Sequence, residues 1–338
     1  MTDMRQQQAE RYREPSFEEA VDIADEVRQW RRDRRKVIAM RVVAALLIIL
    51  AIGIGGFPTF LQYQSAQELR NTSNRSAQTV AGWPYPQADE TFAAAKAYNR
   101  RLAASGQPIL GEAQDPFSQV QGGSQSSESG AAESNSASAK DKEYQSLLDS
   151  GSGVMGTIRI PKISVRLPIY HGTSQSALAS GAGHLYGSSL PVGGRSTHAV
   201  ITGHRGLVEA MMFTRLDEMR VGDYFYIEVM GRTLGYKVDR ISVIEPNDTS
   251  NLKIVPGEDR VTLMTCTPYG VNTHRLLVSA VRSAIPGVVP EERNAAKDAR
   301  TIAITAAVAT LLLGLLLVWL RRRPWHIRRH AAWWPKRG

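Results

Sequence analysis

Two stretches of the chain carry no charge and few polar side chains. Val42 to Leu61 reads VVAALLIILAIGIGGFPTFL, and Ile302 to Leu320 reads IAITAAVATLLLGLLLVWL. A helix crossing the hydrocarbon core of a bilayer needs about 20 apolar residues, so each stretch predicts a transmembrane helix. A long segment precedes the first, and no A-x-A site follows it, so it reads as an uncleaved anchor. Between the two, Gln62 to Ala104 is rich in helix formers, interrupted by Trp83-Pro-Tyr-Pro86. Gly122 to Ala139 holds seven Ser and no large apolar residue, a composition expected to stay disordered. From Val154 onward the pattern switches to short alternating runs separated by turn signals. They are Gly156–Ile160, Thr197–Thr202, Tyr224–Val229, Leu234–Asp239, Arg260–Thr265 and Arg275–Ala280, with a short helical turn expected at Met211–Leu216. Six or more such strands at near-regular spacing predict a closed barrel or a sandwich.

Charge changes the picture mainly by where it lies. The 338 residues carry 41 Lys+Arg and 32 Asp+Glu, a net charge of +9. Residues 61–301 hold 24 basic and 23 acidic residues, so nearly all of the excess sits in the two ends. A nucleic-acid-binding domain would carry its basic charge on a folded surface, so no nucleic-acid partner is expected. Instead Arg28, Arg31, Arg32, Arg34, Arg35, Lys36 and Arg41 precede the first apolar stretch, and Arg321, Arg322, Arg323, Arg328 and Arg329 follow the second. The positive-inside rule places both ends in the cytoplasm and the neutral middle outside. Trp30, Trp319, Trp325, Trp333 and Trp334 lie in or beside these flanks and suit the membrane interface. The lipid bilayer is therefore one expected partner, with the basic tails touching anionic lipid.

One cysteine excludes an intrachain disulfide and any multi-cysteine zinc site, and none of the seven His forms a tight ligand pair. No metal and no cofactor is expected. That cysteine, Cys266, ends an apolar strand and is followed by the turn Thr267-Pro-Tyr-Gly270. A strand end beside such a turn lies at a barrel rim, where a side chain can be open to solvent. If the next strand, from Arg275, closes an antiparallel hairpin, Cys266 and Arg275 sit at the same end of it. His204 follows another strand end, in Thr202-Gly-His-Arg205. A thiol becomes nucleophilic on losing its proton, and a neighbouring cation favours that loss. An imidazole can hold the proton and return it to a leaving amine. A permanently charged guanidinium can steady an oxyanion. The three together suit covalent acyl transfer; singly, each also fits a buried Cys, a structural His or a surface Arg.

Thr262-Leu-Met-Thr-Cys266 resembles the T-L-x-T-C motif of sortases, Thr202-Gly-His-Arg-Gly206 resembles the segment around their essential His, and Arg275 matches their essential Arg. The resemblance extends over much of Met155 to Arg282, including Ile160-Pro-Lys-Ile163, Leu167-Pro-Ile-Tyr-His-Gly-Thr173 and Gly183-His-Leu-Tyr-Gly-Ser-Ser-Leu-Pro191. It implies an all-β catalytic domain with short helices, an eight-stranded closed barrel flanked here by an N-terminal and a C-terminal transmembrane helix. The carboxy-terminal membrane segment, the run from Cys266 to Leu276 and Asp115-Pro116-Phe117 are similar to class C sortases, the pilin polymerases. The last triplet matches their lid, whose aromatic lies near the thiol and whose Asp lies near a cation of the site.

The expected organisation is a basic cytoplasmic tail (1–41), a transmembrane helix (42–61), a helical segment with the lid (62–120) and a Ser-rich disordered linker (121–145). The barrel (146–285), a juxtamembrane linker (286–301), a second transmembrane helix (302–320) and a basic cytoplasmic tail (321–338) follow. By resemblance, Cys266 is the nucleophile, His204 the proton carrier, Arg275 the oxyanion cation and Thr265 a member of the substrate groove. The expected partners are pilin precursors bearing an LPXTG-like sorting signal, handled by a membrane enzyme on the outer face of a Gram-positive cell. Two alternatives stay open: a housekeeping sortase joining proteins to the cell wall, and a membrane-tethered binding domain whose Cys is merely buried.

Overall fold

The computed structural model describes residues 24–110, 136–207, 209–285 and 307–315, together with Phe17, Asp22 and Val289. Its first element, α1 (Ala24–Ala81), is one helix of 58 residues that contains the whole 42–61 apolar stretch and Pro58. Large apolar side chains from Val42 to Phe60 are exposed along it. It is the one helix among the described residues long and apolar enough to cross a membrane. Of the second apolar stretch, residues 307–315 are helical, and the remainder lies outside the described residues.

The described residues from Ala66 onward form a compact unit of their own. The end of α1 contributes Leu69 and Val80 to its core. The chain breaks at 82–86, where Pro84 and Pro86 cannot donate to a helix ladder. It resumes as α2 (Gln87–Ala104), which buries Phe92, Ala95 and Asn99, spaced to fall on one face. The Asn99 amide makes a reciprocal pair with Leu190: Nδ2 donates to the Leu190 carbonyl at 2.9 Å, and the Leu190 N–H donates to Oδ1 at 2.8 Å.

Residues 136–145, assigned above to the disordered Ser-rich linker, are instead folded together with Ser146. They form α3 (Ala137–Lys140) and α4 (Lys142–Ser146), capped by the side chains of Ser136 and Asp141. Tyr144 is wholly buried between His171 and His184; its hydroxyl pairs with His184 Nδ1 at 2.9 Å and accepts from the Gly172 N–H. One large buried ring gives this stretch the burial that serine composition conceals.

Eight strands follow: β1 (Val154–Ile160), β2 (Val165–His171), β3 (Ala182–His184), β4 (Thr197–Thr202), β5 (Tyr224–Val229), β6 (Arg232–Ile244), β7 (Asp259–Thr267) and β8 (His274–Arg282). They close in the order β1-β2-β3-β4-β7-β8-β6-β5. The pairs β2–β3 and β4–β7 are parallel and the rest antiparallel. A short helix, α5 (Gln175–Ser180), links β2 to β3. Successive strand residues alternate between two faces. In β7, Val261 and Leu263 join the main core, whereas Met264 joins a second cluster with Leu185, Val200, Ile244, Leu252 and Leu277. Both faces of β7 are thus covered, which is why it reads as a continuous apolar run. Residues 211–216 form turns leading into a 3₁₀ turn at Leu216–Glu218.

Candidate active site

Strands β4, β7 and β8 are consecutive in the barrel, and their registers place the candidate residues. Cys266 and Arg275 are direct partners across the antiparallel β7–β8 pair. Such partners share a face with Cβ atoms about 4.5–5.5 Å apart. On the other side of β7, the parallel ladder pairs Thr202 with Met264, and the Gly203 N–H donates to the Met264 carbonyl at 3.0 Å. His204 lies two residues past Thr202, and Cys266 two past Met264. Cys266 and Arg275 share one rung, and His204 follows just past the end of the adjacent strand at the same end of the barrel. Cys266 shares its face with Met264, so the site tops the second apolar cluster, not the main core.

Local geometry fixes each residue. A Cβ on Gly203 would lie 2.7 Å from the Phe213 ring, so glycine lets the chain pass close beneath it before turning to His204. The His204 carbonyl accepts from the Phe213 N–H at 3.0 Å. Burial pushes the His204 imidazole below its ordinary pKa, because desolvation disfavours the charged ring. Arg275 is buried, and its Nη1 donates to the carbonyls of Asn272 and His274, both at 2.9 Å, which holds the guanidinium against the rim turn. His274, next to Arg275, is exposed.

Two expectations change. Cys266 is 4% exposed rather than open at the rim, because Leu178 of α5 packs against it. Thr265 does not line a groove beside Cys266. Adjacent strand residues point to opposite faces, and its wholly buried hydroxyl donates to the Gly203 carbonyl at 2.7 Å. It ties β7 to the segment that carries His204. Asp115, Pro116 and Phe117 lie outside the described residues. The chain leading toward them is nonetheless placed: Gln107 Nε2 donates to the Gly187 carbonyl, its Oε1 accepts from the Ile254 N–H, and Leu110 packs on the second apolar cluster. Among the described residues no group of three or more His, Cys, Asp or Glu could hold a metal ion.

Sequence reading missed a buried polar layer further down the same face. His198 is held by the Lys253 carbonyl at Nδ1 and the Thr262 hydroxyl at Nε2, and Thr262 in turn meets Ser279. Thr262 precedes Cys266 by four residues, so period-two alternation was the signal that could have found it.

A buried thiol, an imidazole and a guanidinium at one end of a closed barrel define a candidate cysteine acyl-transfer site. A family model for the sortase domain matches residues 158–283. Among solved structures, the complex of Streptococcus agalactiae sortase C1 and MTSET is 38% identical with a TM-score of 0.54, covering 64% of this chain and 100% of that one. Sortase C-1 from Streptococcus pneumoniae is 40% identical with a TM-score of 0.53, covering 64% of this chain and 99% of that one. Sortase A of Streptococcus agalactiae is 30% identical over 130 residues, 38% of this chain and 52% of that protein. The chain thus spans about half the length of the curated relatives it matches. The chain belongs to the sortase family, with class C sortases among its structural neighbours.

Proposed function

We propose that this chain is a membrane-tethered class C sortase that joins pilin subunits. The observation carrying the proposal is Arg275 opposite Cys266 on one rung, with His204 just past the end of the adjacent strand at the same end of the barrel. Likeness to sortases named C over about two thirds of the chain supports the subclass, because that share is larger than the barrel alone.

In this reading the neutral His204 imidazole takes the proton of the Cys266 thiol, and the thiolate so formed attacks the Thr carbonyl of an LPXTG-like sorting signal. The carbonyl electron pair moves onto oxygen, and the Arg275 charge steadies that oxyanion. As the Thr–Gly bond breaks, the His204 imidazolium gives its proton to the departing Gly amine, leaving a thioacyl-enzyme. A pilin Lys amine then attacks the thioester and yields its proton to His204, and the thiolate departs as the isopeptide bond forms. No metal or cofactor enters these steps.

Asp115, Pro116 and Phe117 would act as a lid. An aromatic ring would screen the thiol from water and oxidant, and the carboxylate would pair with a cation of the site. Leu110, seated on the face that carries Cys266, supports this placement. The helix through 42–61 would hold the barrel on the outer face of the membrane, with a second span at 302–320 and both basic tails in the cytoplasm.

Purified pilin precursor supplied alone tests the reading: the enzyme should build a ladder that survives boiling in detergent, and Cys266→Ala should build none. A ladder from Cys266→Ala would overturn it. The curated relatives named sortase A favour the second reading, attachment to the cell wall. In that case pilin alone yields no ladder, and a peptidoglycan-precursor amine supports turnover.

A further inference from the structure

Arg205, the residue after His204, touches four groups drawn from three parts of the rim. Its Nη1 lies 3.4 Å from the Cys266 carbonyl and 3.2 Å from the Thr267 hydroxyl, donating to both. Its Nη2 pairs with the Asp217 carboxylate. Its guanidinium carbon lies 5.8 Å from the centre of the Tyr269 ring. That ring also rests against Gly206, whose φ of +82° and missing Cβ admit it.

The side chain is 6% exposed, whereas its carboxylate partner is half exposed. Its Nε is buried with no hydrogen-bond partner among the described residues. Burying a guanidinium against a half-wet carboxylate, with one donor unpaired, is a poor way to gain stability. An apolar side chain of similar volume would often serve stability as well or better. What only this side chain supplies is a rigid planar fork spanning the His204 segment, the end of β7 and the turn beyond it.

We propose that Arg205 is a positioning residue for acyl transfer, setting His204 and Cys266 relative to one another through the Cys266 carbonyl, the Thr267 hydroxyl and the Tyr269 ring. The inference rests on Cys266 as nucleophile and His204 as proton carrier. Arg205 follows His204 directly in the chain and grips the Cys266 carbonyl and the Thr267 hydroxyl beside it. Misalignment of groups that must meet in the transition state lowers the rate of the chemical step, while peptide binding persists.

The test is steady-state kinetics of the full chain with a sorting-signal peptide and a Lys-bearing acceptor peptide, with thermal melting as the check on folding. Arg205→Met keeps much of the volume and removes the fork. It should lower kcat about tenfold or more, with KM held within about twofold. Arg205→Lys should recover only a small part, since an ammonium cannot bridge the same groups. Tyr269→Leu should lower kcat a few-fold. A folded Arg205→Met with wild-type kcat, or with its whole loss in KM, overturns the inference. Should Arg205→Met fail to fold, wild-type kcat in both Arg205→Lys and Tyr269→Leu overturns it. Cys266→Ala runs in parallel. If it is dead while the Arg205 variants match wild type, only the positioning role falls. If it still turns over, the parent reading falls with it.

Discussion

A thiol on a β-strand is an ordinary buried residue until its cross-strand neighbours are known. Here Arg275 stands opposite Cys266 because the turn between β7 and β8 sets the register, pairing Thr267 with His274 and every rung beyond. That relation was legible from the nine-residue spacing once a hairpin was assumed. His204 was legible only through motif resemblance, because nothing in the spacing of 204 and 266 announces a parallel β4–β7 ladder. Thr265 was misread although the means to read it were present, since a strand residue beside Cys266 must face the other way. Its buried bond to the Gly203 carbonyl predicts that Thr265→Val, which leaves that acceptor unpaired, costs about 1–3 kcal/mol in urea unfolding. An unchanged midpoint would show the bond to be idle. Because burial lowers the His204 pKa, the neutral ring persists below pH 6.5. The acid limb of kcat/KM should therefore fall below the ordinary imidazole value of 6.5. A limb at or above 6.5 would contradict the buried setting.

At the scale of elements, strands with clean alternation were readable, and those with a disguise were not. Strand β2 holds Pro168, which argues against a paired strand, yet Pro168 still faces Thr157 of β1 in the ladder. Strand β3 has three residues, too few to show a period. The helices α3 and α4 were hidden by serine, although Ser136 and Asp141 are cap residues and accept from the Ala139 and Tyr144 N–H groups. The α2 helix is held on the barrel by Asn99, and Asn99→Leu would leave the Leu190 N–H unpaired, while the Leu190 carbonyl keeps the Val192 N–H at 2.8 Å. A loss of about 1–3 kcal/mol is expected, read as a lower urea midpoint with the barrel strands retained by circular dichroism. Gly203→Ala must displace the Phe213 ring, and with it the backbone leading to His204. Its effect should be larger on kcat than on melting temperature.

For the molecule as a whole, buried histidines tie stability to pH. Burial holds His184 and His198 at about 4, down from 6.5, against smaller opposing pulls from the Ser189 and Lys253 carbonyls. The unfolded chain takes up these protons as pH falls below 6.5, while the folded chain refuses them until about 4. Their stabilisation is fully present above pH 6.5 and is lost progressively toward pH 4, on the order of 3 kcal/mol for each ring. Urea midpoints at pH 7.5, 5.5 and 4.5 should fall in that order, less steeply in His198→Gln; a flat series would contradict the burial. The basic ends, the apolar helix and the near-neutral middle were legible from charge placement alone. The closure of eight strands was expected only through the family resemblance, because strand patterning alone leaves a barrel and a sandwich open and does not mark which edge meets which.

The central claim is best tested by catching the acylated enzyme. The full chain is incubated with a sorting-signal peptide in the absence of an amine acceptor, and the product is measured by intact mass and peptide mapping. The account predicts one added acyl group on Cys266, ending in Thr, released by a Lys-bearing peptide and absent from Cys266→Ala. An acyl group on another residue, or turnover that persists in Cys266→Ala, would contradict it.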